Sequence, residues 1–213
     1  MIPSVVRDAG RERAAKNRDG LTMKITYSAA ASRDGFIAKE DGDVSWLDDL
    51  DIAASETDLA QFFARIDGLL MGRATYDFVY EYGSWPYEDR PSWVLTHRPL
   101  EPLSGANLIV STELDNVIQD ATQRGLAHLW LVGGGQLASA CLNQNLLTEI
   151  HVAEMPVTLE QGIPLFAEHR LDEIPYRARR VLPKQGYQQI ELALKEPFDH
   201  DPALPDESDP SNA

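Results

Sequence analysis

Residues 128–142, HLWLVGGGQLASACL, decide the fold and the chemistry that the sequence predicts. The first five residues form an apolar run of strand length, the run from Gln136 to Leu142 has helical character, and three glycines join the two. Backbone without Cβ atoms can approach a ligand closely, and the free N–H groups at a helix start attract phosphate. A tight turn is the simpler interpretation, but a turn alone does not need three consecutive glycines. The junction therefore predicts a phosphate-binding turn that is neither a GxGxxG dinucleotide fingerprint nor a P-loop.

Strand and helix patterns alternate on both sides of this junction. The strand-like runs are KITYSAAA, GLLMG, SWVLTH, NLIVST, HLWLV, EIHVAEMPV and YQQIELAL, and the helical runs are ASETDLAQFFARI, ELDNVIQDATQRG and QLASACLNQNLL. Because strands buried in a parallel sheet are continuously apolar, this alternation predicts an α/β fold. We expect a three-layer α/β/α sandwich with a mainly parallel central sheet. The last two strands have no helix between them, which predicts an antiparallel edge.

Composition limits the class of partner. The chain carries a formal net charge of −15, and such a surface repels polyanions, which argues against nucleic acid. No apolar run approaches the length of a membrane span, and the first residues lack a secretory signal. Cys141 is the single cysteine, so an intramolecular disulfide and a cysteine-rich metal site are excluded. The histidines show no ligand spacing, so no metal is expected, and the sequence predicts a cytoplasmic protein.

The two ends of the chain differ from its middle. Residues 1–22 are polar and charged, and we expect either a flexible extension or a segment upstream of a true start at Met23. Residues 196–213 alternate Pro with acids and small polar residues, a composition that predicts a disordered acidic tail. No repeat or central linker interrupts the remainder, so we expect one folded domain over residues 23–195.

Two more predicted strand ends carry anion-binding residues. Each would be an ordinary polar turn if it stood alone, since a Gly-Arg or Thr-His pair after a strand is common in loops. Together with the glycine junction they predict a pyrophosphate-containing nucleotide, because the carboxyl ends of parallel strands meet at one edge of the sheet. The residues are Gly72, Arg73 and Thr75 after the strand of LLMGRATY, and Thr96, His97 and Arg98 after the strand of SWVLTHRP.

A set of motifs in this order resembles the dihydrofolate reductase superfamily. The motifs are SRDGFIA (32–38), WL (46–47), MGRATY (71–76), LTHRP (95–99), VGGG (132–135) and GIPLF (162–166). Within that superfamily the sequence is most similar to the branch of the C-terminal reductase domain of the bifunctional deaminase-reductase of riboflavin biosynthesis. The resemblance spans residues 23 to about 194.

The resemblance implies NADPH-dependent hydride transfer. It implies that three groups of residues bind the cofactor phosphates. It also implies that the backbone of two further residues contacts the nicotinamide carboxamide. Cationic residues at two strand ends also favour NADPH over NADH, because NADH-binding sites usually have an acid there. The implied cofactor residues are Gly72, Arg73 and Thr75 (bridging and 2′-phosphates), Thr96, His97 and Arg98 (adenosine side), Gly133, Gly134, Gly135, Gln136 and Leu137 (pyrophosphate), and Ala30 and Ile37 (nicotinamide).

The substrate side is less defined. Reduction of a C=N bond needs a proton as well as a hydride, and two acids are candidate donors. Asp58 matches the acid of the folate enzymes by position, although an acid in a first helical turn also stabilises the helix dipole. Asp34 borders the expected nicotinamide site, although Asp-Gly is also an ordinary turn pair. Trp46 is expected either to close over the substrate or to anchor the core.

The resemblance leaves the substrate open. Ala138 and Ala153 stand where folate enzymes have an aromatic and a hydroxyl residue, so folate is expected to be a poor substrate. We expect reduction of a small heterocyclic or related compound. The alternatives are the phosphoribosylaminouracil reductase of riboflavin biosynthesis and a non-catalytic nucleotide-binding protein. Residues 162–166 match a segment that is associated with subunit pairing in the riboflavin branch, which implies a homodimer.

Overall fold

A computed structural model describes residues 23–48, 50 and 56–195, without the side chains of residues 56–59. The predicted N-terminal extension and acidic tail lie outside the described residues. The strands are β1 (Lys24–Ser32), β2 (Phe36–Ala38), β3 (Gly68–Gly72), β4 (Ser92–Leu95), β5 (Leu108–Ser111), β6 (His128–Gly133), β7 (Glu149–Met155), β8 (Ile163–Pro164), β9 (Ala178–Lys184) and β10 (Tyr187–Ala193). The helices are α1 (Glu56–Ala64), α2 (Arg73–Tyr82), α3 (Leu114–Gln123) and α4 (Gly135–Asn143), with 3-10 turns at Ser45–Leu47 and Leu171–Glu173.

The central sheet has eight strands in the order β5-β4-β3-β6-β1-β7-β10-β9. The first six of these strands pair in parallel, and β10 pairs antiparallel with both β7 and β9. This arrangement confirms the predicted α/β fold with a mainly parallel sheet and an antiparallel C-terminal edge.

Three strands were absent from the sequence prediction or only partly expected. Strand β9, ARRVLPK, lies at the sheet edge and alternates between half-buried and exposed residues, so it lacks the apolar run of a central strand. Strands β2 and β8 form a separate two-stranded sheet, and they are too short to give a periodic signal.

The two faces of the central sheet differ, and we name them by their residues. The packed face carries Ile25, Tyr27, Leu129, Leu131, Ile150 and Val152, and all six side chains are at most 2% exposed. Helices α3 and α4 cover this face with apolar residues that include Val117 and Cys141, which form one large core with it. Burial raises the pKa of the Cys141 thiol to about 12, so Cys141 is a core residue as the sequence predicts.

The opposite face, which we call the cleft face, carries Thr26, Ser28, Ala30, Trp130, His151 and Ala153, because side chains alternate along a strand. Helices α1 and α2 lie on this side, where Tyr76 and Val79 of α2 pack with Leu69 and Met71 in a smaller apolar cluster.

In the described part of the chain, no helix combines the length and the apolar character that membrane crossing requires. The same residues contain no group of three or more His, Cys, Asp or Glu side chains arranged for a metal ion.

Candidate active site

The predicted phosphate-binding strand ends meet at one edge of the sheet. Strand β3 pairs with both β4 and β6, so the carboxyl ends of all three lie side by side. A methyl group built on Gly72 would lie 3.7 Å from the backbone nitrogen of Gly134. A methyl group built on Gly133 would lie 3.3 Å from the hydroxyl oxygen of Thr75. Residues far apart in sequence therefore line one concave stretch of backbone.

A different structural feature accounts for each of the three consecutive glycines. Gly133 has a φ of 154°, which side chains rarely adopt, and a cis peptide bond joins it to Gly134. Gly134 has open space around it, because the nearest atom to a built Cβ is the Thr75 hydroxyl at 3.8 Å. Gly135 has no such space, because a Cβ there would overlap the carbonyl oxygen of Pro164 in β8. The sequence prediction assigned all three glycines to the phosphate, but packing against β8 already explains Gly135.

Two helices begin at this edge without side-chain caps. Gly72 is the N-cap of α2 and Gly134 is the N-cap of α4, and neither makes a side-chain capping hydrogen bond. The first N–H groups of each helix have no partner within the helix and favour an anion. Gln136 is exposed, whereas the Leu137 side chain is in the core, so only its backbone N–H group faces a ligand at this position. We call this edge the glycine cradle; its residues are Gly72, Thr75, Gly133 and Gly134.

An arginine pair flanks the glycine cradle. Arg73 Nε donates to Asp77 Oδ1 at 2.6 Å, and another guanidinium nitrogen of Arg73 donates to the carbonyl oxygen of Pro99 at 2.6 Å. Arg98 lies 3.6 Å from the other carboxylate oxygen of Asp77, and 67% of its side chain is exposed. The structure thus brings together the arginines of two predicted motifs, and it places between them an acid that the sequence prediction missed.

Thr96 and His97, the other two residues of the LTHRP motif assigned to the cofactor, differ in solvent exposure. Thr96 is buried, and its hydroxyl accepts a hydrogen bond from the Arg98 N–H group at 3.1 Å. This bond shapes the turn that presents Arg98. His97 is exposed. The predicted phosphate contacts of Thr96 and His97 stay predictions.

The two residues assigned to the nicotinamide lie near the end of β1. Ala30 is opposite Ala153 on the cleft face, and Ile37 is the middle residue of β2. Strand β2 pairs with β8, and the Leu165 N–H group donates to the Gly35 carbonyl at 2.9 Å. In the segment that the resemblance links to subunit pairing, Leu165 and Phe166 are buried within the chain, whereas Pro164 is exposed.

The Asp34 carboxylate links the loop after β1 to the loop after β7 through hydrogen bonds. It accepts hydrogen bonds from the Ser32 hydroxyl at 2.7 Å and from the N–H groups of Leu159 and Glu160 at 3.1 and 2.8 Å. Desolvation acts to raise the pKa of Asp34, but these three donors outweigh it and lower the pKa. A carboxyl group in this state is ionised at neutral pH, which suits a loop anchor better than a proton donor.

The other two predicted substrate-side residues lie close to the undescribed part of the chain. Asp58 is in the first turn of α1, but its side chain lies outside the described residues. Trp46 is 6% exposed, and among the described residues its indole N–H group has no hydrogen-bond partner. A buried indole normally donates a hydrogen bond, so this N–H group is available to an acceptor on a ligand.

The sequence prediction missed a row of polar side chains across the cleft face. The Lys24 ammonium lies 2.5 Å from Glu149, and the other carboxylate oxygen of Glu149 lies 3.0 Å from His151 Nε2. Thr26 and His128 form a hydrogen bond of 2.8 Å beside them. The available signal was the alternation of polar and apolar residues in KITYS and EIHVA, because a strand buried on both faces is continuously apolar.

This polar row has well-defined protonation. Burial alone would raise the pKa of Glu149, but hydrogen bonds from His151 and Lys24 lower it to about 2. Burial and the Lys24 charge lower the pKa of His128 to about 4. At neutral pH, Glu149 is therefore an anion and His128 is neutral.

Aromatic rings form the roof of the cleft face. Phe62 of α1 meets Trp130 edge-on with ring centroids 5.4 Å apart, and its ring lies 6.4 Å from that of His151. Phe63 and Tyr87 contact Trp130 at 5.5 Å each. Aromatic surfaces of this kind favour contact with a planar organic molecule.

Comparison with known proteins identifies a matching protein family. The family model "RibD C-terminal domain" matches residues 23–182. The uncharacterized protein YwjB of Bacillus subtilis is 29% identical over 149 residues, which cover 70% of this chain and 85% of that protein.

Solved structures share the fold. The crystal structure of a "Putative riboflavin biosynthesis protein" from Shewanella sp. PV-4 is 27% identical with a TM-score of 0.67, covering 82% of this chain and all of that one. The Thermotoga maritima diaminohydroxyphosphoribosylaminopyrimidine deaminase/5-amino-6-(5-phosphoribosylamino)uracil reductase is 14% identical with a TM-score of 0.62, covering 81% of this chain and 56% of that one. Dihydrofolate reductase from Enterococcus faecalis, solved with NADP(H), is 18% identical with a TM-score of 0.57, covering 81% and 97%.

Proposed function

This chain belongs to the RibD C-terminal domain family, and from that premise we propose that it is an NADPH-dependent reductase of a small heterocyclic or related substrate. The glycine cradle is the observation that carries the proposal. Two uncapped helix starts, the Thr75 hydroxyl and backbone free of Cβ atoms converge there, and together they suit a pyrophosphate. None of the cradle residues is acidic, so none of them would repel the pyrophosphate.

The residues around the cradle have separate roles in this proposal. The N–H groups at the starts of α2 and α4 hold the pyrophosphate, and Arg73 and Arg98 face the 2′-phosphate. The backbone edges at Ala30 and Ile37 orient the nicotinamide, and Trp46 donates its indole N–H group to the substrate. The bound cofactor supplies a hydride, whereas the chain itself positions the substrate and excludes water.

Cofactor binding is the first experimental test. Titration of NADPH fluorescence with the purified full chain is expected to show one saturable site. NADPH oxidation is then measured with dihydrofolate, 5-amino-6-(5-phosphoribosylamino)uracil, benzaldehyde and 1-pyrroline. Oxidation above the substrate-free rate with a heterocycle or imine supports the proposal. Absence of NADPH binding would refute it.

A narrower candidate is the 5-amino-6-(5-phosphoribosylamino)uracil reductase of riboflavin biosynthesis. It is favoured by the family match and by the Shewanella structure, which bears a riboflavin biosynthesis name. Turnover of that uracil in preference to the other three compounds would support it. Binding of NADPH without oxidation of any compound would instead favour a non-catalytic nucleotide-binding protein.

We also propose that the protein acts in the cytoplasm as a homodimer. Within residues 162–166, Leu165 and Phe166 are buried in the chain, whereas Pro164 is exposed and could take part in the dimer contact. Light scattering coupled to size-exclusion chromatography tests the mass, and a monomer at micromolar concentration would contradict the proposal.

A further inference from the structure

His151 lies on the cleft face, two residues before Ala153, which is next to the expected nicotinamide site. On β7, Ala153 pairs with Ala30 and His151 pairs with Ser28. Side chains two residues apart on a strand are about 7 Å apart on the same face. Glu154 is next to Ala153 but lies on the opposite face of the sheet, so His151 is the ionisable side chain of β7 that follows Ala153 on the cleft face.

The His151 ring is held in place by charged neighbours. Its Nε2 atom lies 3.0 Å from a Glu149 oxygen, and the other Glu149 oxygen lies 2.5 Å from the Lys24 ammonium. The side chain of His151 is 14% exposed and that of Glu149 is 12% exposed. Among the described residues, no hydrogen bond reaches the other ring nitrogen, Nδ1. Glu149 therefore holds one ring nitrogen, and Nδ1 is the nitrogen that remains for a contact with a substrate.

From this geometry we propose that His151 is the catalytic residue that donates the proton during reduction, with Glu149 and Lys24 as positioning residues. The inference rests on the proposed reductase function and identifies the class of substrate. The substrate must carry a C=N or C=O group whose heteroatom accepts a proton. A planar ring bearing that group would pack against Phe62 and Trp130, which form the roof above His151.

The reaction balances with this assignment. The carbon of the double bond gains the hydride that NADPH supplies, and its nitrogen or oxygen gains the proton from protonated His151. The products are the saturated compound and NADP⁺. Neutral His151 then regains a proton from water, and the Glu149 carboxylate stabilises the protonated ring.

The charges around His151 agree with this role. The acids beside His151 on the sheet are Glu149 on β7, which contacts the ring, and Glu191 on β10, which is the register partner of His151. Lys24 on β1, His128 on β6 and Arg65 after α1 supply the basic groups, and Arg180 on β9 is the register partner of Glu191. His128 is a poor alternative donor, because it bonds Thr26 and is neutral at pH 7.

The test uses the full chain and four variants. His151→Gln and His151→Phe remove the donor, Glu149→Gln weakens its positioning, and His128→Gln is the matched control on the same face. Each variant is first titrated with NADPH, which must bind within about threefold of wild type. With any compound of the panel that wild type reduces, we expect kcat to fall at least about 100-fold in both His151 variants and less than about threefold in His128→Gln.

Glu149→Gln has a separate signature. We expect the pH at which kcat declines to move downward in this variant, because the protonated ring loses its anionic partner. A purely structural contact would change KM or stability without moving that pH.

A second measurement does not depend on turnover. In the presence of NADP⁺, each panel compound is added to protein labelled with ¹³C in its histidine rings, and the His151 resonance is identified from the His151→Gln spectrum. We expect a binding compound to shift the His151 resonance and to leave His128 unchanged. If NADPH binds but no compound shifts His151, or if a His151 variant keeps kcat within threefold, the inference is wrong and the cofactor site stands. If NADPH itself does not bind, the proposed function fails as well.

Discussion

Strand β1 serves two different purposes on its two faces. Ile25 and Tyr27 enter the large core under α3 and α4, whereas Thr26 and Ser28 face the aromatic and charged groups of the cleft. On β7, Ile150 and Val152 belong to that core and His151 lies in the cleft. The packed face supplies stability through apolar burial, so the cleft face can carry polar groups that would weaken a core. Substitutions on adjacent residues of one strand should therefore have different consequences.

The largest effect is expected for Leu131→Ala on the packed face of β6. Leu131 is fully buried, and its truncation leaves a cavity that should lower the free energy of unfolding by about 2–5 kcal/mol. Val132→Ala, one residue along on the half-buried cleft face, should cost about 1 kcal/mol or less. Urea unfolding at pH 7.5 measures both. Equal losses would contradict the distinction between the two faces.

A second pair compares adjacent glycines. Gly135→Ala should cost about 1–3 kcal/mol of stability, because the new methyl group overlaps the Pro164 carbonyl oxygen. Gly134→Ala has room for the methyl group, so its stability should change little, but NADPH affinity should fall about tenfold because the methyl group enters the cradle. Unfolding curves and NADPH titrations distinguish these outcomes. A stable Gly134→Ala variant with unchanged NADPH affinity would show that the cradle does not contact the cofactor.

Arg73→Ala tests the charged flank of the cradle. Loss of charge-assisted hydrogen bonds to the 2′-phosphate should weaken NADPH about 10–100-fold and NADH much less. Arg124→Ala is the matched control, since Arg124 forms a similar i,i+4 pair with Asp120 on α3. Its ratio of NADPH to NADH affinity should stay that of wild type. Equal weakening of both cofactors by Arg73→Ala would refute the 2′-phosphate assignment.

The smallest effect is expected for the pH dependence of stability at His128. Its folded pKa of about 4 lies below the ordinary value of 6.5, so its contribution is complete above pH 6.5 and is lost as pH falls towards 4. In His128→Gln that part of the acid destabilisation should disappear. Urea midpoints between pH 4 and 7.5 measure it.

The strand ends of the site were predictable because their signal is local. An apolar run followed by Gly-Arg or by three glycines specifies a strand that ends at a turn, and parallel pairing then gathers these turns at one edge. Gly72, Thr75 and Gly133 meet as the sequence predicts.

The polar row was not predictable in the same way. Lys24, Glu149 and His151 come from strands more than a hundred residues apart, and their contacts depend on register. Gly135 was ambiguous for a related reason, because the Pro164 carbonyl that excludes a side chain there belongs to a short strand without a periodic pattern.

The acid between the two arginines has a consequence for how cofactor affinity responds to salt. Asp77 already neutralises part of the charge of Arg73 and Arg98 in the free protein. If the 2′-phosphate binds these arginines, it would displace a carboxylate that belongs to the chain instead of releasing two solvent anions. NADPH affinity should decline less steeply with ionic strength than an isolated pair of arginines would give, and Asp77→Asn should restore the steeper decline.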